Sequence, residues 1–405
     1  MITRGEQMLA LRRRRMAQSP AFLRGGFRPF FFGGAAWALL ALAWWLCSLA
    51  GVVTLLVAID PLAWHRHEML FGFVGAVVAG FLLTAIPNWT GRLPIAGAPL
   101  AALFGLWLAG RIALLFSGLL GQATAAAFDV AFPLVIAAVG AQEVIAAKNR
   151  NLPVVAAVLL LAGANALDHA AMAGLVADPL AGVRLAIGVI SVLIALVGGR
   201  IIPSFTRNWL VKRKVTVGLP TQPGRFDLAA ITATAAALLL WTALPNARLT
   251  GLLLALAGAL QLLRLLRWRG VRTVADPLVF MLHVAFAWLP AGLLLLGASI
   301  LRTDVVPQSA AVHALTAGAM GSMILAVMTR ASLGHTAREL RADGATCLLY
   351  LLVTGGALAR VAAPLLVHHY TGLMRTGALL WGAAFFLFLL RYAPVLFAPR
   401  KGERA

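Results

Sequence analysis

Acidic residues and cysteines are scarce in this sequence. Its 405 residues include 13 Asp and Glu against 34 Lys and Arg, a formal net charge of +21 at pH 7. The 2 cysteines, Cys47 and Cys347, lie in apolar stretches without metal-type spacing, so neither a zinc site nor a disulfide framework is indicated. Phosphate-binding loops, the serine elbow of hydrolases and zinc-protease motifs are also missing. ATP-driven chemistry and ordinary hydrolysis are therefore not supported.

Hydrophobic residues dominate instead. They make up 61% of the chain, while only 12% is charged, a composition far more apolar than that of a soluble domain. The apolar residues recur in runs of about twenty, each long enough for a helix to cross roughly 30 Å of hydrocarbon. We therefore predict an all-α polytopic membrane protein. Its predicted surroundings are membrane lipid, and no nucleic-acid partner is expected despite the basic charge.

Twelve transmembrane helices are predicted from these runs. They fall at 30–56, 66–87, 98–119, 124–146, 152–173, 180–202, 226–244, 248–268, 277–300, 309–330, 345–367 and 374–396. The connections are short and leave no separate soluble domain. The predicted organisation is a basic cytoplasmic N-terminal tail (1–29), a single 12-helix membrane domain (30–396) and a basic cytoplasmic C-terminal tail (397–405).

The positions of the basic residues agree with this count. With the N-terminus in the cytoplasm, most Lys and Arg residues fall on the inner side. The outer loops then contain only Arg66, Arg248, Arg302 and Arg375. The positive-inside rule describes this bias, and one missed helix would scramble it. Both termini are therefore expected in the cytoplasm. The run Arg12–Arg15 is followed by no cleavage site, so the first span is expected to remain uncleaved.

Spans 2, 6 and 10 end alike on the inner side. The similar segments are Pro87–Arg92, Gly199–Pro203 and Met328–Arg330. Their equal spacing favours three four-helix units. The alternative is that membrane helices commonly end in Pro, Gly and Arg at the cytoplasmic interface.

Ionisable residues inside the spans concentrate in the outer half of the predicted membrane domain. Such residues are unfavourable in hydrocarbon and usually mark a functional site. Six of the 8 histidines lie on this side: His65, His67, His169, His313, His368 and His369. The charged residues there include Glu68, Arg111, Asp129, Asp168, Arg184 and Arg360. Neutral imidazole is a common ligand of transition metals and haem, so the clustering indicates a metal or haem site.

His65 and His67 lie at the start of span 2. In a regular helix His65 shares a face with Glu68 and Gly72, whereas His67 lies nearly opposite. The two histidines cannot both face one centre in a regular helix, so only one of them is expected to bind haem. The small residues below His65 would leave room for a porphyrin. The alternative is that both form a polar cap at the interface.

The other polar residues have plainer interpretations as well. In this alternative, the side chains of Arg184 and Arg360 extend to the membrane–water interface. Asp168 and His169, with Asn165 one turn earlier, would join neighbouring helices by hydrogen bonds. His283 would be a core residue, and His335 would be an interfacial residue. His368 and His369 would be a solvated pair in a loop.

Several motifs carry a family resemblance. They are Phe27–Phe31, Trp64–Phe73, Pro87–Arg92, Gly199–Pro203, and His313–Thr316 continuing to Thr329–Thr336. Together they resemble the NnrS family over residues 22–398. Arg66 stands where the family often has a small residue, which leaves the candidate ligands unchanged.

The resemblance implies a bacterial inner-membrane protein that contains haem, expected to be b-type, and copper, and that is linked to denitrification and nitric oxide stress. It also implies candidate ligands at His65, His67, His283, His313 and His335. His169 is a candidate metal ligand because of its depth alone.

A looser, architectural resemblance is to the haem-copper oxidase subunits. These also have twelve spans in three four-helix arcs, with haem-binding histidines in spans 2 and 10. Here spans 2 and 10 carry His65, His67 and His313. Histidines in span 6 and paired histidines in span 7 are missing, so a normal oxygen-reducing centre is not expected.

The predicted function is therefore haem and copper binding in a membrane protein that protects against nitric oxide, by binding or reducing it with an unknown electron donor. His313 and one of His65 and His67 would be axial haem ligands. Arg184 and Arg360 would lie near the propionates, and Glu68 and Asp168 would deliver protons or orient ligands. The alternatives are a small-molecule transporter or channel, and a haem- or copper-trafficking or regulatory membrane protein.

Overall fold

The computed structural model describes Ala10, Leu11, Arg14 and residues 16–403. Within that part of the chain every regular element is helical. Twelve of the helices are long and apolar enough to cross a membrane. The prediction of an all-α protein with twelve spans is confirmed. Of the basic N-terminal run, Arg12, Arg13 and Arg15 lie outside the described residues.

The twelve long helices are named here in chain order. They are α1 (Phe27–Leu49), α2 (Pro61–Thr90), α3 (Ala98–Leu115), α4 (Gln122–Ala146), α5 (Leu152–Met172), α6 (Ala181–Lys212), α7 (Arg225–Ala243), α8 (Arg248–Arg267), α9 (Pro277–Leu301), α10 (Gln308–His335), α11 (Gly344–Ala362) and α12 (Val367–Phe397).

The first two helices differ from the predicted bounds for local reasons. α1 ends at Leu49, several residues before the predicted end, and Gly51 follows with a φ of +71° that a helix cannot continue through. α2 starts at Pro61, earlier than predicted, because Asp60 accepts hydrogen bonds from the Leu62 and Ala63 amides. His65 and His67 therefore lie in the second turn of α2 and not at its first residue.

Proline does not end the helices where the sequence suggested. α6 continues past Pro203 to Lys212, and α2 continues past Pro87 to Thr90. Transmembrane helices tolerate proline because neighbouring groups bond the carbonyl that proline leaves without an amide partner. α10 likewise continues to His335, beyond its predicted end.

Three helices contain a π-helical segment. These segments are Glu68–Val74 in α2, Ile194–Gly198 in α6 and Ala314–Met320 in α10. π-helical turns are rare and occur frequently at functional sites. The same three helices have similar C-terminal sequences. The π-helical segment is thus a second feature that recurs every four helices. The arrangement of three four-helix units stays a prediction.

The contacts divide the chain into two compact units. Unit 1 comprises the described residues up to Val183, Ala331–Glu339 and the described residues from Leu389 onwards. Unit 2 comprises Arg184–Arg330 and Leu340–Phe388. α1 to α5 therefore belong to unit 1, and most of α6 to α12 belongs to unit 2.

A glycine brings α5 and the start of α6 together within unit 1. A Cβ added at Gly182 would lie 2.5 Å from the backbone nitrogen of Asp168 and 2.7 Å from the carbonyl oxygen of Ala164. Real Cβ atoms do not approach backbone so closely, so only glycine permits this packing. The turn of α5 that carries Asp168 is thereby held against α6.

Candidate metal centre

His67 is fully buried in α2, and both of its ring nitrogens face carboxylates. Nδ1 lies 2.8 Å from Asp168 Oδ2, and Nε2 lies 2.8 Å from Asp129 Oδ2. A neutral imidazole has one N–H and can donate to only one of these oxygens. The two contacts together therefore need either one further proton or a cation between Nε2 and Asp129.

His169 completes a group of three buried ligands. Its Nε2 lies 3.0 Å from Asp129 Oδ2, and its ring centroid lies 4.7 Å from that of His67. One ligand atom from each of His67, Asp129 and His169 falls within 4.8 Å of the others. α2, α4 and α5 contribute one residue each. Two imidazoles and one carboxylate form a donor set that binds iron, copper or zinc.

Arg111 of α3 connects this group to a second carboxylate. Its Nη2 forms an ion pair with Asp129 Oδ1, and its Nη1 donates to Glu68 Oε2 at 2.5 Å. The Trp37 indole N–H donates to the same Glu68 oxygen at 2.5 Å. Arg111 and Glu68 are both essentially inaccessible. The result is one continuous polar network, which runs through Asp168, His67, Asp129, Arg111 and Glu68.

The charges of this polar network are unbalanced. The network contains three buried carboxylates, Glu68, Asp129 and Asp168, and one permanent cation, Arg111, which contacts the first two. Burying uncompensated charge is strongly unfavourable. Protons on the histidines or a bound metal cation would restore the balance. Since His67 and His169 both direct Nε2 to the same carboxylate oxygen, the cluster is chemically suited to bind a cation there.

The backbone is irregular on both sides of the centre. The π-helical segment of α2 begins directly after His67, and the consecutive residues His67 and Glu68 are both 0% exposed. In α4, Pro133 lies four residues after Asp129. Proline has no amide hydrogen, so the carbonyl of Asp129 loses its helical partner. Both features place Asp129 and His67 in helix turns that differ from a regular α-helix.

Gly72 has a different role from the one expected. A Cβ there would lie 2.5 Å from Arg111 Nη1 and 2.9 Å from Trp37 Nε1, and the Trp107 indole donates to its carbonyl at 2.9 Å. The space beside Gly72 is filled by the ion-pair network, so this face of α2 is not a porphyrin cradle.

His65 has other neighbours than His67. Its ring stacks on that of Trp45, with centroids 4.0 Å apart and planes at 14°. The side chain is only partly buried. The structure therefore gives the two histidines of this motif separate surroundings.

In unit 2, His313 is oriented by its own helix. Its Nδ1 lies 2.7 Å from the carbonyl oxygen of Ser309, which can only accept, so Nδ1 carries the proton. A neutral ring then presents an unprotonated Nε2, the form that binds metals, and such a carbonyl contact typically orients metal-binding histidines. The π-helical segment of α10 begins with the next residue, Ala314, as the one in α2 follows His67.

The two arginines expected beside a propionate both belong to unit 2. Arg184 Nη2 donates to the carbonyl oxygen of Thr242 at 3.5 Å. Arg360 has a buried Nη1 without a hydrogen-bond partner among the described residues. An anionic group would satisfy that N–H.

The other candidate histidines are either tightly packed or exposed, and their assignment as ligands stays a prediction. His283 Nε2 lies 2.8 Å from Thr206 Oγ1, and a Cβ on Gly270 would lie 2.6 Å from its ring, so it is tightly packed. His335 is exposed and lies 5.5 Å from the Phe27 ring. His368 and His369 lie in an exposed short helical turn.

Sequence reasoning missed two members of the centre. Arg111 and Asp129 were recognised as charged residues of the outer half but were not assigned to the site. Their position inside apolar spans was the available signal. Which residues they would face depends on the rotation of α3 and α4, which hydropathy alone does not give.

The sequence matches the family model described as NnrS protein over residues 21–400. No curated protein matches it.

Replacing Arg111 with Met should destabilise the protein strongly, because Glu68 and Asp129 would remain buried without their cation. We expect a loss of about 3–5 kcal/mol in unfolding free energy, measured by denaturant unfolding in detergent. The matched control is Arg302→Met, whose partner Asp304 and own side chain are 67% and 66% exposed. That change should cost about 0–1 kcal/mol. Equal effects of the two substitutions would contradict the assigned role.

Proposed function

The chain belongs to the NnrS family, and on that premise we propose that it is a haem- and copper-binding membrane protein that protects cells against nitric oxide. The proposal places the copper at His67, Asp129 and His169. It places the haem at His313. Reduction of nitric oxide at these metals would make the protein an oxidoreductase.

The observation that carries the metal assignment is the geometry around His67. With Nδ1–H donating to Asp168, Nε2 is left to bind a metal together with Asp129 and His169. A metal-binding histidine usually donates the N–H of its other ring nitrogen to a group such as a carboxylate, which orients the ring. Arg111 holds the opposite oxygen of Asp129, which fixes the direction of that carboxylate.

The residues around the centre also suit proton transfer. A bound copper ion supplies a redox-active site for nitric oxide, and reduction of nitric oxide consumes protons. Asp168 contacts His67 directly, and Glu68 connects to Asp129 through Arg111. Glu68 Oε1 is buried and has no partner among the described residues, so this oxygen is available to accept a proton. In the proposal Asp168 serves proton delivery at His67, and Glu68 orients Asp129 through Arg111.

The proposal assigns His313, and not His67, to the haem. Both nitrogens of His67 already face carboxylates, so binding haem would break those contacts. His313 presents Nε2 because Ser309 holds Nδ1. Haem supplies an iron centre that binds nitric oxide, and Arg360 and Arg184 are the cations assigned to its propionates.

We place the protein in the bacterial inner membrane with both termini in the cytoplasm. The support is the distribution of Lys and Arg between alternate connections of the twelve helices.

The metal assignment is tested by loading the purified protein with copper and measuring bound metal and its affinity. His67→Ala and His169→Ala should abolish stoichiometric binding because each removes one of three ligands. Asp168→Asn should weaken binding by roughly 10–100-fold, as expected for a residue that orients a ligand. His283→Ala, which removes a histidine outside the group, is the matched control and should retain the metal. Retention by the His67 and His169 variants would refute the site.

The haem assignment is tested by the absorption spectrum. The wild-type protein should show a Soret band, and His313→Ala should lose or shift it because the axial nitrogen is removed. His67→Ala should keep the band, since His67 is assigned to the other metal. A wild-type protein that takes up no haem would disprove this part of the proposal, and loss of the band in His67→Ala would reverse the assignment.

Turnover distinguishes the proposed activity from its rivals, a transporter or channel and a trafficking or regulatory protein. The purified, metal-loaded protein with a chemical electron donor should consume nitric oxide, followed with an electrode. The copper-free His67→Ala variant should consume it more slowly. Binding of haem and copper without consumption would favour the trafficking or regulatory alternative.

A further inference from the structure

A narrow crevice lies within unit 1 between α2, α4 and α5. It has room for about one molecule of the size of water. Gly75 and Pro133 line it and lie near the middle of α2 and α4. The crevice is therefore at the depth where a membrane is hydrocarbon.

Its lining is apolar with one exception. The partly buried residues Gly75, Val78 and Pro133 form the rim, and buried aromatic and aliphatic side chains form the wall. The exception is Asn165 of α5, which is only 1% exposed. Its Oδ1 is buried and has no hydrogen-bond partner among the described residues. The Asn165 amide is thus the single polar group among the residues that line the crevice.

The end of the crevice at Phe71 adjoins the candidate metal centre. The ring of Phe71, which lines the crevice, lies 4.8 Å from the ring of His67. Asn165 lies one helical turn before His169 on α5. A molecule in the crevice would therefore be next to two of the three metal ligands.

We propose that this crevice binds a small, uncharged molecule dissolved in the hydrocarbon, of the size of a diatomic gas, and leads it to the metal centre. A charged or strongly hydrogen-bonding molecule would lose its solvation at this depth without replacement. An apolar gas has no such solvation to lose. That the gas is nitric oxide rests on the proposed function, whereas gas binding by the crevice does not.

Gly75 offers a way to close the crevice without disturbing the fold. A Cβ at Gly75 would meet nothing within 4 Å, so the side chain of Gly75→Leu begins without a clash at the rim of the crevice. Gly163 on α5 is also open within 4 Å but does not line the crevice, and Gly163→Leu is the matched control. Thermal unfolding in detergent should show that both variants fold.

The first experiment uses metal-free protein and dioxygen as an apolar, paramagnetic probe. Methyl NMR should show a stronger dioxygen-induced relaxation at Leu161, which lines the crevice, than at Leu82, which is buried elsewhere on α2. Gly75→Leu should lower the effect at Leu161 to that at Leu82, and Gly163→Leu should not. Equal relaxation at the two leucines, or no change in Gly75→Leu, would overturn the crevice as a gas site.

The second experiment uses copper-loaded protein and stopped-flow mixing with nitric oxide. Gly75→Leu should bind nitric oxide several-fold more slowly at unchanged copper content, and Gly163→Leu should match the wild type. Unchanged rates in Gly75→Leu would overturn the crevice as the route. If dioxygen enters the crevice but the loaded wild-type protein does not bind nitric oxide, the proposed function fails and the gas site stands.

Discussion

The carboxylate of Asp129 is the interaction on which unit 1 depends. One of its oxygens pairs with Arg111 of α3, and the other lies within hydrogen-bond distance of the Nε2 atoms of His67 of α2 and His169 of α5. Four helices are therefore joined at one buried group. In hydrocarbon the hydrophobic effect no longer favours one helix packing over another, so polar contacts of this kind decide which faces meet. The same contacts leave the cluster short of positive charge, and this deficit suits it to bind a cation.

The local irregularities of the helices follow from this centre. A π-helical turn begins directly after His67, and Pro133 removes the amide that would otherwise bond the carbonyl of Asp129. Gly72 leaves room for Arg111 and Trp37, and Gly182 lets α6 approach the turn with Asp168. Each departure from a regular helix thus serves the position of a charged or ligating side chain. A second π-helical turn beside a histidine, at His313, repeats the pattern in unit 2.

Most of the fold was predictable, but only part of the centre was. Long apolar runs predicted all twelve spans, and the intramembrane charges predicted that His67, Asp168 and His169 matter. The pairing of Arg111 with Asp129 and Glu68 was not predictable, because it depends on how α3 and α4 rotate about their axes. Helical periodicity placed Glu68 on the face of His65 with His67 nearly opposite, yet His67 and Glu68 are both buried where a π-helical segment begins.

The sequence by itself determined the number of helices and the residue types available for chemistry. Hydropathy reflects only the free energy of transferring each segment into hydrocarbon, which is a property of that segment alone. Tertiary structure decided which polar residues meet. It assigned His67 to a carboxylate cluster and His65 to a stack on Trp45. Such contacts depend on packing between segments distant in the chain, and no local pattern records that packing.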